Sequence, residues 1–100
     1  MNYAFENKKG VIKDMKTITH TVKDPNGIHA RPAGVIVSEA KKYDSEIKIK
    51  FGENYADCKR IFSVMGLTIK SGDSFIIEIS GSDEAEALAA LEAAIKESGI

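Results

Sequence analysis

A chain of 100 residues with 43% hydrophobic and 29% charged content is long enough for one domain with its own core and has the composition of a water-soluble globular protein. Its net charge of −1 excludes bulk electrostatic attraction to nucleic acid or an anionic membrane, and the lone Cys58 excludes an intrachain disulfide framework and fits a reducing cytosol. No apolar run approaches the roughly 18 residues that span a bilayer, and the N-terminus lacks the continuous apolar stretch of a secretory signal.

Lys16 to Lys23 alternates, with Ile18, His20 and Val22 on one face and Thr17, Thr19 and Thr21 on the other, so a half-buried strand is expected. Asp24-Pro25-Asn26-Gly27 is a turn signal, because proline presets its own φ and Asn-Gly tolerates positive φ. A helix from Arg31 to Tyr43 follows, its inner stripe formed by Ala33, Ile36, Val37 and Ala40. Glu46 to Phe51 alternates again, with Ile47, Ile49 and Phe51 inward, and Gly52-Glu53-Asn54 turns into a short strand from Tyr55 to Cys58. Arg60 to Leu67 is expected as a short helix. Ser71-Gly72-Asp73 is a turn, and Ser74 to Ser80 a strand with Phe75, Ile77 and Ile79 inward. Ser82 is the expected N-cap of a last helix whose buried stripe is Ala85, Leu88, Leu91 and Ile95, ended by Ser98-Gly99. The order is β-α-β-β-α-β-α. It predicts an α+β fold with a four-stranded sheet covered on one face by three helices. The pattern does not fix the strand order.

Chemistry concentrates in Gly27-Ile28-His29-Ala30-Arg31-Pro32-Ala33. Pro32 suits the first turn of a helix, where its missing N–H has no partner to lose. That places His29 at or near the N-cap, beside free backbone amides and the positive end of the helix dipole, a ready anion site. A neutral imidazole is a nitrogen nucleophile near pH 7, and the planar fork of Arg31 can hold two phosphate oxygens. Asn26, Gly27, Ala30 and Pro32 form the supporting set. Pro32 fixes the helix start, Gly27 the backbone geometry, and Asn26 either braces the loop, approaches the phosphoryl group, or serves only the turn. On the second helix, Ile61 and Phe62 lie about 100° apart, so one face hardly buries both together with Val64 and Leu67. His20 points inward by parity and is expected to pack. Cys58 lacks the neighbours of a metal or redox site, and Glu84, Glu86 and Glu92 are the wet face of the last helix. No phosphate-binding loop for ATP is present.

Three segments together resemble the HPr family, the histidine-containing phosphocarriers of the bacterial phosphoenolpyruvate:sugar phosphotransferase system. They are Gly27 to Ala33, Lys59-Arg60-Ile61-Phe62-Ser63-Val64-Met65-Gly66-Leu67, and Gly81-Ser82-Asp83-Glu84 before an alanine-rich helix. The likeness runs from about Lys16 to Ile100. It implies an antiparallel open-faced sandwich and a carrier rather than an enzyme. His29 would accept a phosphoryl group from the phosphohistidine of enzyme I, with Arg31 stabilising it, and pass it to a IIA component of a transport or regulatory pathway. It also implies a partner-docking surface made of Gly34, Val35 and Ser38 on the first helix with Ile61, Phe62 and Met65 on the second, rimmed by Lys41 and Arg60. No cofactor or metal, no nucleic acid, no membrane insertion, a cytoplasmic setting and a monomeric state complete the expectation.

Two features depart from that pattern. In many Gram-positive members a serine, phosphorylated by an ATP-dependent kinase, occupies the position of Arg60; arginine accepts no phosphate, and Ser63 is not the matching position. Residues 1–15 form an extension ahead of the phosphocarrier domain at 16–100. Tyr3, Phe5, Val11 and Ile12 could dock it on the body or form a short strand; a flexible tail and an upstream start codon chosen over Met15 are the alternatives. The rival functional readings are a regulatory module that signals by contact through the same helix faces, and a protein that binds a free anion at the helix terminus.

Overall fold

A computed structural model describes residues 3–6 and 12–100. The elements are β1 (Tyr3–Glu6), β2 (Ile12–Thr21), α1 (Ala30–Ala40), β3 (Glu46–Phe51), β4 (Asn54–Asp57), α2 (Ile61–Met65), β5 (Ser74–Ser80) and α3 (Glu84–Glu97). The strands pair antiparallel in the order β1-β2-β5-β3-β4. The expected four-stranded sheet is therefore β2-β5-β3-β4. The opening residues add β1 at its edge, with Tyr3 opposite Met15 and Glu6 opposite Ile12. Accordingly β2 starts earlier than its alternation suggested and runs across residue 15; Val11 lies outside the described residues.

Ile47, Ile49, Phe75, Ile77 and Ile79 project from β3 and β5 into one core with Ala33, Ile36, Val37 and Ala40 of α1 and Ala87, Leu91 and Ile95 of α3. Phe51 is only half-buried, because it ends β3 at the hairpin. Truncating a fully buried isoleucine such as Ile36 to alanine costs a core of this kind about 2–5 kcal/mol.

Two expectations for α3 are corrected. Its buried positions are Ala87, Leu91 and Ile95 with Leu88 half-buried, while Ala85 is exposed: four-residue spacing carries the stripe through Ala87, about 160° around the helix from Ala85 when counted at two residues' separation from it. The N-cap is Asp83 rather than Ser82, and its side chain does not cap α3. Instead its carboxylate reaches back to the start of β3. It accepts from the Asp44 amide at 2.8 Å, the Ser45 amide at 2.9 Å and the Ser45 hydroxyl. Gly81 makes this approach possible: a Cβ there would come within 2.6 Å of Ser45 Cα.

The Ser45 hydroxyl, followed by the Asp44 amide, holds the Asp83 carboxyl below its ordinary value. A folded-state pKa below the unfolded one gives stability that is complete above the unfolded pKa and is lost as pH falls through the folded one. Asp83→Asn is therefore expected to melt about 4–8 °C lower at neutral pH, the shift one lost hydrogen bond gives a domain of this size. Thermal melts as a function of pH check this. The gap should close below the ordinary carboxylate range of about pH 4, and a gap independent of pH contradicts the assignment.

Candidate functional site

The loop between β2 and α1 is held by its backbone before any side chain acts. The Gly27 amide donates to the Asp24 carbonyl at 2.9 Å, and the Ile28 amide to the Ile69 carbonyl at 2.9 Å, with the Ile28 side chain buried. Gly27 has φ +69°, and a Cβ on it would run into the Ile69 carbonyl oxygen and sit 2.9 Å from Lys70 Cα. Only glycine fits both the left-handed backbone and the close approach. The chain then enters α1 with His29 at the N-cap in extended conformation, its carbonyl accepting from the Ala33 amide at 3.0 Å. The His29 ring makes no capping hydrogen bond. Ala30 and Arg31 have amides with no acceptor one turn earlier in the helix, and buried Pro32 has no N–H at all.

Asp24, expected only as a turn residue, organises the charged groups. It is 7% exposed. Its Oδ1 accepts from the Asn26 amide at 2.9 Å, closing an Asx turn. Its Oδ2 lies 3.2 Å from His29 Nε2 and accepts from Arg31 Nη2 at 2.9 Å. The Asn26 amide foremost, aided by His29 and Arg31, holds the Asp24 carboxyl below the usual carboxylate value against the opposing push of desolvation. The His29 and Arg31 side chains stay accessible, at 36% and 58% exposure. The result is an open corner in which an imidazole, a guanidinium and the unpaired amides of a helix start converge. It suits attack by a ring nitrogen on an electrophilic phosphorus, with donors for the oxygens close by.

The remaining expected residues divide by position. Asn26 is exposed and contributes its backbone amide to the turn; Ala30 is exposed at the first helical position. On the neighbouring surface, Gly34 and Val35 are half-buried and Ser38 is exposed. A Cβ on Gly34 would lie 3.9 Å from Ile61 Cδ1, so α1 and α2 meet there. On α2, Val64 is buried, Ile61 and Met65 are half-buried against the core, and Phe62 is 83% exposed. Arg60, the N-cap of α2, and Lys41 are exposed. His20, near the end of β2, is half-buried with its ring 5.6 Å from that of Phe75. Cys58 is fully buried, and desolvation pushes its thiol far up, which makes it inert as a nucleophile. Among the described residues no three His, Cys, Asp or Glu side chains cluster to hold a metal ion, and no helix is long and apolar enough to cross a membrane.

A sequence model described as the PTS HPr component phosphorylation site matches residues 16–97. The chain belongs to the HPr family. Among its relatives, the phosphocarrier protein HPr of Lysinibacillus sphaericus is 43% identical over 86 residues, covering 86% of this chain and 98% of the relative. That of Mycoplasma genitalium is 40% identical over 87 residues, covering 86% and 99%. Solved structures agree. A histidine-containing phosphocarrier protein of a mycoplasma superposes with a TM-score of 0.81 at 32% identity, over 84% of this chain and 96% of that one. HPr from Bacillus anthracis gives 0.72 at 36% identity, over 80% and 95%. HPr proteins are phosphocarriers, relay proteins and not enzymes that turn over a substrate. The matched region begins at residue 16, so the residues that precede it lie outside the family match.

Proposed function

We propose that this HPr-family chain carries a phosphoryl group on His29 between phosphorylated enzyme I and a IIA component of a sugar-transport or regulatory phosphotransferase pathway in the cytoplasm. The observation that supports this best is the accessible His29 ring at the start of α1, free of any capping duty and sharing one carboxylate with Arg31. In the loading step the phosphorus–nitrogen bond of the donor breaks and its electron pair returns to the donor nitrogen, while a lone pair of His29 forms the new bond. The guanidinium of Arg31 and the open amides of α1 balance charge on the oxygens, which is most of what phosphoryl transfer asks of a protein. The surface of α1 and α2, with Phe62 at its centre, is the docking face we assign to both partners.

The test is incubation with enzyme I, magnesium and phosphoenolpyruvate. We expect an acid-labile, base-stable adduct of one phosphate per chain. No adduct, with partner binding retained, would support a regulatory module that signals by contact.

Arg60 carries a second expectation. With a family serine kinase and ATP, no phosphate should appear on α2, because the matching position has no hydroxyl. Mass spectrometry locates any phosphate, and modification of exposed Ser63 would overturn this.

A further inference from the structure

We propose that Asp24 is the positioning residue of this site: its carboxylate keeps the imidazole proton of His29 on Nε2, leaves the Nδ1 lone pair for phosphorus, and holds Arg31 alongside. The inference rests on the reading of His29 as the phosphoryl acceptor.

An ionised carboxylate has lone pairs and no proton to give, so the His29 nitrogen that faces it must be the one that carries hydrogen. That nitrogen is Nε2, 3.2 Å from Oδ2. A neutral imidazole carries one N–H, so its free lone pair is on Nδ1. The carboxylate itself has little freedom. Its Oδ1 is taken by the Asn26 amide, the Asp24 amide donates to the Ile100 carbonyl at 3.1 Å, and the Asp24 carbonyl accepts from Gly27. It is almost entirely covered, so an arriving protein replaces little of its environment.

The same placement serves the transfer. When phosphorus bonds to Nδ1, His29 releases no proton, and the ring with hydrogen still on Nε2 takes on positive charge. Oδ2 is already in place to stabilise that charge and needs no reorganisation. Arg31 gives Asp24 one N–H of Nη2 and keeps its other donors for the phosphoryl oxygens. Fixing the tautomer and orientation of a histidine from its far nitrogen is a general use of a carboxylate, here applied to a nucleophile.

Asp24→Asn separates this role from the turn. The asparagine oxygen can still accept from the Asn26 amide, which puts an NH2 group where Oδ2 faced two donors. The proton of His29 should then move to Nδ1 and block the nucleophile. Asp24→Ala leaves the place to water and should be less harmful. Two readouts decide. Long-range proton–nitrogen NMR of the 15N-labelled chain, well above the ordinary imidazole titration range, should show the Nε2–H tautomer in the parent and a shift to Nδ1–H in Asp24→Asn. Phosphoryl uptake from phosphorylated enzyme I should show kcat lowered about tenfold or more in Asp24→Asn, less in Asp24→Ala, with KM for enzyme I within about twofold of the parent in both.

An Nδ1–H tautomer in the parent overturns the proposal, whether or not any variant folds. So does an Asp24→Asn protein with unchanged tautomer and unchanged kcat, or an effect confined to KM. Failure of the parent to accept phosphate at all would instead refute the carrier reading, and the tautomer measurement is independent of that outcome.

Discussion

His29→Ala should take up no phosphoryl group from phosphorylated enzyme I, while its melting temperature stays within about 2 °C of the parent. The loss is chemical because the ring supplies the nucleophile. Fold stability is spared because the ring is accessible, makes no capping bond to α1, and leaves Asp24 still bound to Arg31 and the Asn26 amide. Circular dichroism with a labelling time course separates the two effects. Residual labelling at the parent rate would move the acceptor elsewhere. Labelling lost together with helix content would show that the ring serves the fold.

Phe62→Glu should raise KM for enzyme I by about tenfold or more and leave kcat nearly unchanged. Phe62 is 83% exposed on a helix whose Val64 faces the core, so the substitution has little to disturb in the folded chain. Covering a phenylalanine side chain contributes about 1.5–3 kcal/mol, and each 1.4 kcal/mol is a factor of ten in affinity, so replacing it by a charge should cost one to two decades. Exposed aromatic anchors are where transient interfaces concentrate their energy. Steady-state kinetics at varied carrier concentration check this. An unchanged KM would remove α2 from the docking face, and a kcat loss at constant KM would place Phe62 in the chemistry.

Sequence patterning anticipated the parts of this molecule that depend on local periodicity. The apolar stripe of α1 and the alternation of β3 and β5 are fixed by the geometry of helix and strand, so Ala33, Ile36, Ile47 and Ile77 could be placed inside without coordinates. His29 at the helix start follows from Pro32 and the preceding turn. Phe62 could be placed outside because a short helix cannot bury adjacent residues on one face. Contacts between segments distant in sequence were not visible. Asp83 looked like part of a helix start, but its partners Asp44 and Ser45 are 39 and 38 residues away. Asp24 looked like a turn former, and it is one. No one-dimensional pattern shows that its second oxygen points at residues five and seven positions later. The alanine-rich sequence of α3 offers several competing stripes, and packing against the sheet and α1 selects the one through Ala87.

The decisive measurement is the position of the phosphate after labelling by enzyme I and phosphoenolpyruvate, mapped by mass spectrometry of peptides kept alkaline throughout. One phosphate on the peptide that carries His29, and none on the peptide with His20, is the expected result. Phosphate on His20, or on a serine or threonine with His29 unmodified, would contradict it.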